Sequence, residues 1–413
     1  MDLECLGASM EVGRSAFLLN TDKRIMLDYG IKLFDESGGA TFPLESSAPP
    51  DLALLSHAHL DHSGCIPALY TKNKIRWYGT PPTRDIVEVL WKDSMKIMGD
   101  GLPYRMQHFN KALKYWSSLH YNETIHAGKT EITLHDAGHI SGSAMIDLEY
   151  NNKRILYSGD FKCGDTFMHK GASYIDDVDY LIIETTYAQR EHPPRKELER
   201  TLMEHIHETI ENGGNVLLPS FALGRTQELL ALVRHYDKDT PVYVDGMGRE
   251  ITRIYLKYSK YIKDAKSFRN AVKNARLVQS IADKKAATRE PSIIISSAGM
   301  MNGGPILNYL FHANNKSKLI FTGYCVEETN GWLLQNKGYL MKDEQELYVD
   351  LPWEYLDFSA HAGRADILNF IKHANPEKII LVHGDNTIGF GEELERDFGY
   401  DVVAPLPGDR IRL

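Results

Sequence analysis

The segment His57-Ala58-His59-Leu60-Asp61-His62 places three imidazoles and one carboxylate in a single short stretch. In an extended chain alternate side chains leave on one side, so His57 and His59 can converge on one point. Asp61 and His62 lie where the chain turns into a helix and can face a second, neighbouring point. Imidazole and carboxylate suit zinc, and two ions about 3.5–4 Å apart make a hydrolytic centre. The plainer alternative is a polar histidine-rich loop without metal. Further candidates stand singly at strand ends. They are His139 in Gly138-His139-Ile140-Ser141-Gly142, Asp160 after Leu156-Tyr157-Ser158-Gly159, and His383 after Ile379-Ile380-Leu381-Val382. Each has an ordinary reading, as a structural histidine or a carboxylate capping a turn. With the first loop they supply several nitrogen ligands and one carboxylate able to bridge.

The elements that must carry these side chains can be read from apolar patterning. Short strands are expected at 3–6, 16–19 and 24–28, then at 51–55, running directly into the histidine loop. Gly64 and Pro67 bracket the expected start of a helix, and a longer helix covers 81–98. Strands return at 132–134, 144–147 and 154–157, with Asn151-Asn152 as a hairpin turn. From about Tyr187 helices alternate with apolar strands: helix 196–211, strand 216–218, helix 225–233, strand 241–244. Such alternation indicates a parallel sheet covered by helices. Near Leu356 the pattern returns to a strand, followed by a helix at 364–373, a strand at 378–382 and a last helix. The order fits a mixed β domain interrupted by a helical insert.

Composition limits the alternatives. At 413 residues the chain exceeds the size at which one core stops growing. Its 43% hydrophobic and 25% charged residues are ordinary for a globular protein. No apolar run reaches the roughly 18 residues that span a bilayer, and Asp2 and Glu4 argue against a secretory leader. Four scattered cysteines without a CxxC pair point to a reducing, cytoplasmic setting. A net charge of -9 gives no general attraction to nucleic acid, so any RNA or DNA partner would need a local basic surface and the metals.

The order of these residues resembles the metallo-β-lactamase superfamily, whose HxHxDH signature stands here as His57 to His62. Glu184-Thr185-Thr186-Tyr187, Ser359-Ala360-His361 and Val382-His383-Gly384 resemble the three motifs of its β-CASP branch. That branch includes the endonuclease of the cleavage and polyadenylation specificity factor, its archaeal relatives and ribonuclease J. Residues 7–15 are similar to the opening of the archaeal group, and within the insert Pro219 to Glu228 and Ser297-Ala298-Gly299-Met300 resemble what the family shows. The resemblance implies an α/β fold, a metallo-β-lactamase αββα sandwich with an inserted α/β β-CASP domain. The boundaries expected are 1–188 and 351–413 for the sandwich and 189–350 for the insert.

By that resemblance two zinc ions per chain would be held, one by His57, His59 and His139, the other by Asp61, His62 and His383, with Asp160 bridging. Asp28 would orient a ligand histidine, since metal-bound imidazole usually donates its other nitrogen proton to a carboxylate; a turn cap before Tyr29-Gly30 is its plain reading. Two zinc ions would make hydroxide available near neutral pH and neutralise phosphodiester oxygens. In-line attack then needs an acid for the departing ribose oxygen. His361 is the candidate, its ring fixed by Glu184; the products implied carry 5′-phosphate and 3′-hydroxyl ends.

Substrate contacts are expected from Ser359, from Arg225, and from Gly299 and Met300 ahead of a helix at 306–311, where exposed amides can hold phosphate. The cations from Lys257 to Arg276, interleaved with Tyr255, Tyr258, Tyr261 and Phe268, could track single-stranded RNA. The more ordinary reading is a solvated helical face with its aromatics packed inward. The core begins at once, so no KH module is expected ahead of it. Ala362-Gly363-Arg364 looks closer to the polyadenylation-factor type than to ribonuclease J. That favours an endonuclease of RNA processing or 3′-end formation over a 5′-to-3′ exonuclease. Residues 404–410 resemble a tail that contributes to dimerisation, so a homodimer is expected, with an RNA-processing complex as a further partner and no membrane. A small-molecule hydrolase would have no use for the insert or for the Glu184 and His361 pair. A non-catalytic scaffold would have lost ligands that are all present here.

Overall fold

The computed structural model describes residues 1–33 and 39–413. The chain divides into two compact units. The first is Met1–Asp165, Lys170–Glu191 and His361–Leu413; the second is Thr166–His169 and His192–Ala360.

The first unit is built on two seven-stranded sheets among the described residues. One runs, in spatial order, Arg410–Arg412, Asp2–Cys5, Ala16–Asn20, Arg24–Tyr29, Leu52–Leu54, Arg76–Gly79 and Trp116–Ser118. The other runs Val402–Val403, Lys378–Val382, Tyr180–Glu184, Lys153–Tyr157, Ala144–Tyr150, Thr130–Asp136 and Thr124–Ala127. Period-two alternation sorts their apolar residues into layers. Leu27, Leu54, Ile146, Ile155, Ile182, Ile380 and Val382 meet in one core drawn from both sheets. The intervening Leu181, Ile183, Ile379 and Leu381 face outward, against Ile367, Phe370 and Ile371 of the helix Arg364–Ala374. On the first sheet Trp77 lies 6.0 Å from Trp91 of the helix Pro81–Met98. Helix, sheet, sheet, helix is the αββα order expected. Asn151 and Asn152 both take positive φ, which lets a two-residue turn join antiparallel strands.

One local expectation is corrected. The helical turn after the histidine loop is Leu60–Ser63, starting immediately beyond His59 and ending before Gly64. Beyond Cys65 the chain forms a 3₁₀ segment, Ile66–Thr71, with Pro67 in its first turn. Ser63 N and Gly64 N already donate to His59 O and Leu60 O, so Asp61 and His62 stand in the first helical turn. Gly30 permits this, because a Cβ there would fall 1.7 Å from Asp61 O.

The second unit contains a six-stranded sheet ordered Arg276–Leu277, Val242–Asp245, Ile293–Ser296, Val216–Pro219, Lys318–Phe321 and Trp353–Tyr355. Every neighbouring pair in it is parallel. Helices such as Arg195–Glu211 and Arg225–Tyr236 accompany it, and strands buried on both faces explain the unbroken apolar runs Val216–Leu218 and Ile293–Ile295. Trp353–Tyr355 pairs with Lys318–Phe321, so the insert's sheet runs past the sequence boundary at residue 350. In the stretch from Tyr255 to Arg276, Tyr255 and Phe268 are buried and in contact, whereas the lysines and arginines are exposed. That is the solvated face with inward aromatics.

Candidate metal centre

Strand ends of the first unit present the candidate ligands together. His57 and His59 follow Leu52–Leu54, and their nearest nitrogens, Nε2 and Nδ1, are 3.1 Å apart. His139 Nε2, from the Gly/Ser loop after Thr130–Asp136, is 3.1 Å from the same His59 nitrogen. Asp160 Oδ2 lies 3.4 Å from His57 Nε2 and 3.8 Å from His139 Nε2. The other Asp160 oxygen faces a second group, with Oδ1 3.1 Å from His62 Nε2. His383, after Lys378–Val382, comes 3.3 Å from Asp61 Oδ2 through Nε2, and Asp61 Oδ2 is 3.9 Å from His62 Nε2.

Behind these atoms several of the imidazoles have their far nitrogen fixed. Asp28, fully buried, accepts from His62 Nδ1 at 2.7 Å, from Ser56 Oγ at 2.6 Å and from Tyr157 Oη at 2.7 Å, while Ser56 N donates to its other oxygen. Ser56 has given its only hydroxyl proton to Asp28, so at 3.1 Å it accepts from His57 Nδ1. One carboxylate therefore fixes the Nδ1 proton of a histidine in each group and turns both Nε2 atoms inward; at His62 burial opposes charging, but the Asp160, Asp61 and Asp28 carboxylates outweigh it, so a cation would displace the Nε2 proton there. Thr186 plays the same part for His383: its Oγ1 donates to Glu184 at 2.5 Å and accepts from His383 Nδ1 at 3.1 Å. Asp28 and His383 both have positive φ, a conformation that costs non-glycine residues about 1 kcal/mol or more and clusters at functional sites.

Glu184, at the end of Tyr180–Glu184, holds a third set. Its oxygens are each 3.1 Å from His361 Nδ1 and also accept from Phe161 N and Thr186 Oγ1. Lys162 Nζ donates to His361 O at 2.9 Å. Burial opposes charging of His361, but the Glu184 and Asp160 carboxylates outweigh it and raise the imidazole to about 9. That value belongs to the cluster alone; dications beside it would lower it. Burial keeps His57, His59 and His139 from taking a proton, His59 down to about 3, and neutral imidazole is the metal-binding form.

The residues fit a pair of cations. His57, His59, His139 and Asp160 form one group, and Asp61, His62, Asp160 and His383 another, each with ligand atoms within 4.8 Å of one another. A tetrahedron around zinc with bonds of about 2.0–2.1 Å has edges of about 3.4 Å, and four of the separations in the first group, given above, run from 3.1 to 3.8 Å. Asp160 Oδ1 is buried without a hydrogen-bond partner, the condition of an oxygen meant for a cation. Asp160, Glu184 and His361 also lie within reach of a common point. The hydrogen bonds already made to both Glu184 oxygens fit it to orienting His361 rather than to a third ion.

Comparison with known proteins agrees with this architecture. A metallo-β-lactamase superfamily domain matches residues 18–181, a Beta-Casp domain residues 226–334, and a Zn-dependent metallo-hydrolase RNA specificity domain residues 351–405. A protein named probable RNase MJ4 from Methanocaldococcus jannaschii is 38% identical, with all of both chains covered. The chain belongs to the β-CASP family of the metallo-β-lactamase superfamily. Other β-CASP relatives include RNase aCSPSF2 of Saccharolobus solfataricus, 35% identical over 100% of this chain and 85% of its own. Transcription termination factor FttA of Pyrococcus abyssi is 32% identical over 99% of this chain and 70% of its own. A solved structure of a protein of unknown function from Enterococcus faecalis shares the fold, with a TM-score of 0.66 at 14% identity, covering 100% of this chain and 99% of that one.

The structure thus brings Asp28, His57, His59, Asp61, His62, His139, Asp160, Glu184, His361 and His383 into one constellation of the first unit. Ser359, Gly299, Met300 and Arg225, expected at substrate, all belong to the second unit. Sequence reasoning missed Ser56, Tyr157 and Thr186. The signal was present only as their immediate neighbourhood to a ligand or motif residue.

Proposed function

We propose that this β-CASP protein cuts within single-stranded RNA, using two zinc ions per chain, as a cytoplasmic homodimer that works with other RNA-processing factors. At the coarser level the chain is a metal-dependent ribonuclease, by family and by relatives named as RNases. The observation that carries the finer reading is the convergence of two metal-binding groups on Asp160 with a separate Glu184–His361 pair beside them.

When bound, two zinc ions supply a hydroxide-strength nucleophile near neutral pH and offset the charge of the phosphodiester. The chain's own residues do the rest. His361 donates a proton to the departing ribose oxygen, and Glu184 holds its Nδ1 so that Nε2 carries the transferable proton. Asp28, through His62 directly and through Ser56 to His57, holds the Nδ1 side of each ring and turns the Nε2 atoms inward. The products then carry 5′-phosphate and 3′-hydroxyl ends. Ser359, Gly299, Met300 and Arg225 would contact the RNA.

Internal cutting is favoured over attack from a 5′ end by the state of Arg364. Its guanidinium pairs with Glu393 and donates to Ala188 O, so it is committed to the fold rather than offered to a terminal phosphate. The deciding experiment compares a circular RNA with a 5′-monophosphorylated linear RNA, alongside metal analysis of the purified protein. Cutting of the circle and about two zinc per chain are expected. An intact circle together with stepwise shortening of the linear RNA would replace this reading by a 5′-to-3′ exonuclease.

A further inference from the structure

The second unit carries an aromatic side chain placed unlike the others. The strand Val216–Pro219 lies between Ile293–Ser296 and Lys318–Phe321. Its onward connection leads to Val242–Asp245 on one side, whereas that of Ile293–Ser296 leads to Lys318–Phe321 on the other. Adjacent parallel strands whose connections depart in opposite directions open a crevice at their carboxyl ends, the usual ligand position in such sheets. Phe221 stands at that edge.

Its backbone is fixed with unusual care. Phe221 O accepts from Thr226 N at 3.2 Å and from Thr226 Oγ1 at 2.8 Å. Gln227 ties the same loop from two sides, accepting from Gly224 N and donating to Ala222 O. The ring is seated by one edge on two glycines from neighbouring strand ends. A Cβ on Gly323 would stand 3.1 Å from Phe221 Cε2, and one on Gly299 would stand 3.3 Å from Cδ2 and 2.9 Å from Phe221 N. A side chain at Gly299 would collide with the Phe221 backbone and one at Gly323 would push the ring aside, yet the ring remains 38% exposed. Tyr324, directly after Gly323, is 55% exposed. A loop pinned by Thr226 and Gln227 therefore holds an apolar ring by its edge and leaves the remainder to solvent.

Resting on the ribonuclease reading of this chain, we propose that Phe221 is a stacking platform for one nucleobase of single-stranded RNA. A phenyl ring reads the face of a base and not its hydrogen-bonding edge, so the contact adds affinity without sequence preference. It is a binding residue rather than a catalytic one.

The test measures binding by anisotropy of a fluorescein-labelled twelve-nucleotide RNA to the full, zinc-loaded chain in a His361→Ala background, so that bound RNA is not cut. Phe221→Leu is expected to weaken binding about tenfold and Phe221→Tyr to leave it within about twofold. In a series of RNAs with one abasic position each, one position should lose about tenfold against Phe221 and nothing further against Phe221→Leu. Zinc content and thermal midpoint report on folding and should not move. Equal affinity of the Leu and Phe proteins, or an abasic penalty that persists in Phe221→Leu, would overturn the proposal and leave the ring to a protein contact. Cleavage by the wild-type chain is assayed separately, so loss of the nuclease reading and loss of this contact give different results.

Discussion

At the candidate metal centre of the first unit the polar side chains have their hydrogen bonds assigned in advance, down to the partner that holds Nδ1 of His57, His62 and His383. At the strand ends of the second unit it is the backbone that is fixed, by Thr226 and Gln227, while an aromatic ring is left partly in water. The contrast separates two tasks. Hydrolysis needs ligand atoms held to fractions of an ångström, so their orientation is determined by a second layer of buried groups. Holding a strand of varied sequence needs a surface indifferent to the identity of the base. Substitutions in the first region should therefore act on metal content and kcat, and those in the second on KM or on stability.

The sharpest challenge to that division is Asp160→Asn. Removing the carboxylate shared by both groups should drop zinc below one per chain and abolish cleavage; retention of two zinc ions would break the assignment of Asp160 as the bridge. Next in size, His361→Ala should keep both ions and lose about 10²–10⁴-fold in kcat. Activity should fall as pH rises through the pKa of His361, because the acid must be protonated. Glu184→Gln removes the charge that raises it, so the basic limb of the profile should move to lower pH; an unmoved limb would exclude His361 as the acid. Asp28→Asn should weaken zinc binding about 10–100-fold, read by competition with a chelating dye, and Thr186→Val should fall at the lower end of that range with Thr186→Ser restoring it. The smallest effect on chemistry is expected at Glu228, which accepts from Phe167 N and Met168 N and pairs with Arg195 within the second unit. Glu228→Gln should cost about 1–3 kcal/mol in unfolding free energy and leave kcat and zinc content alone; a large drop in kcat would blur the separation of the two regions.

The candidate ligands are legible in the sequence because the HxHxDH spacing is dense and because His139, Asp160 and His383 each stand beside a glycine after an apolar strand, signals that are ordinary singly and informative together. Ser56, Tyr157 and Thr186 are not, since hydroxyl residues occur everywhere and their role depends on long-range approach: Tyr157 meets Asp28 across 129 positions of sequence. The helix start at Leu60 is obscured because Gly64 and Pro67 look like punctuation, whereas the hydrogen bonds to His59 O and Leu60 O begin the turn earlier. The parallel sheet of the insert is readable from its alternation of helices and apolar runs, but its strand order is not, because apolar runs carry no information about which neighbour they choose. Phe221 stands in a recognisable stretch, yet only the approach of Gly299 and Gly323 separates it from an ordinary core phenylalanine.

The strand Tyr180–Glu184 lies beside Lys378–Val382, its partner from about 200 residues later in the chain. At a synthesis rate of about 5–20 residues per second that neighbour emerges roughly 10–40 s later. Until then Glu184 has no His361 to hold and the second cation group lacks His383. A growing polypeptide that has not yet reached residues 361 to 383 would therefore lack both the proposed acid and one of the proposed metal ligands.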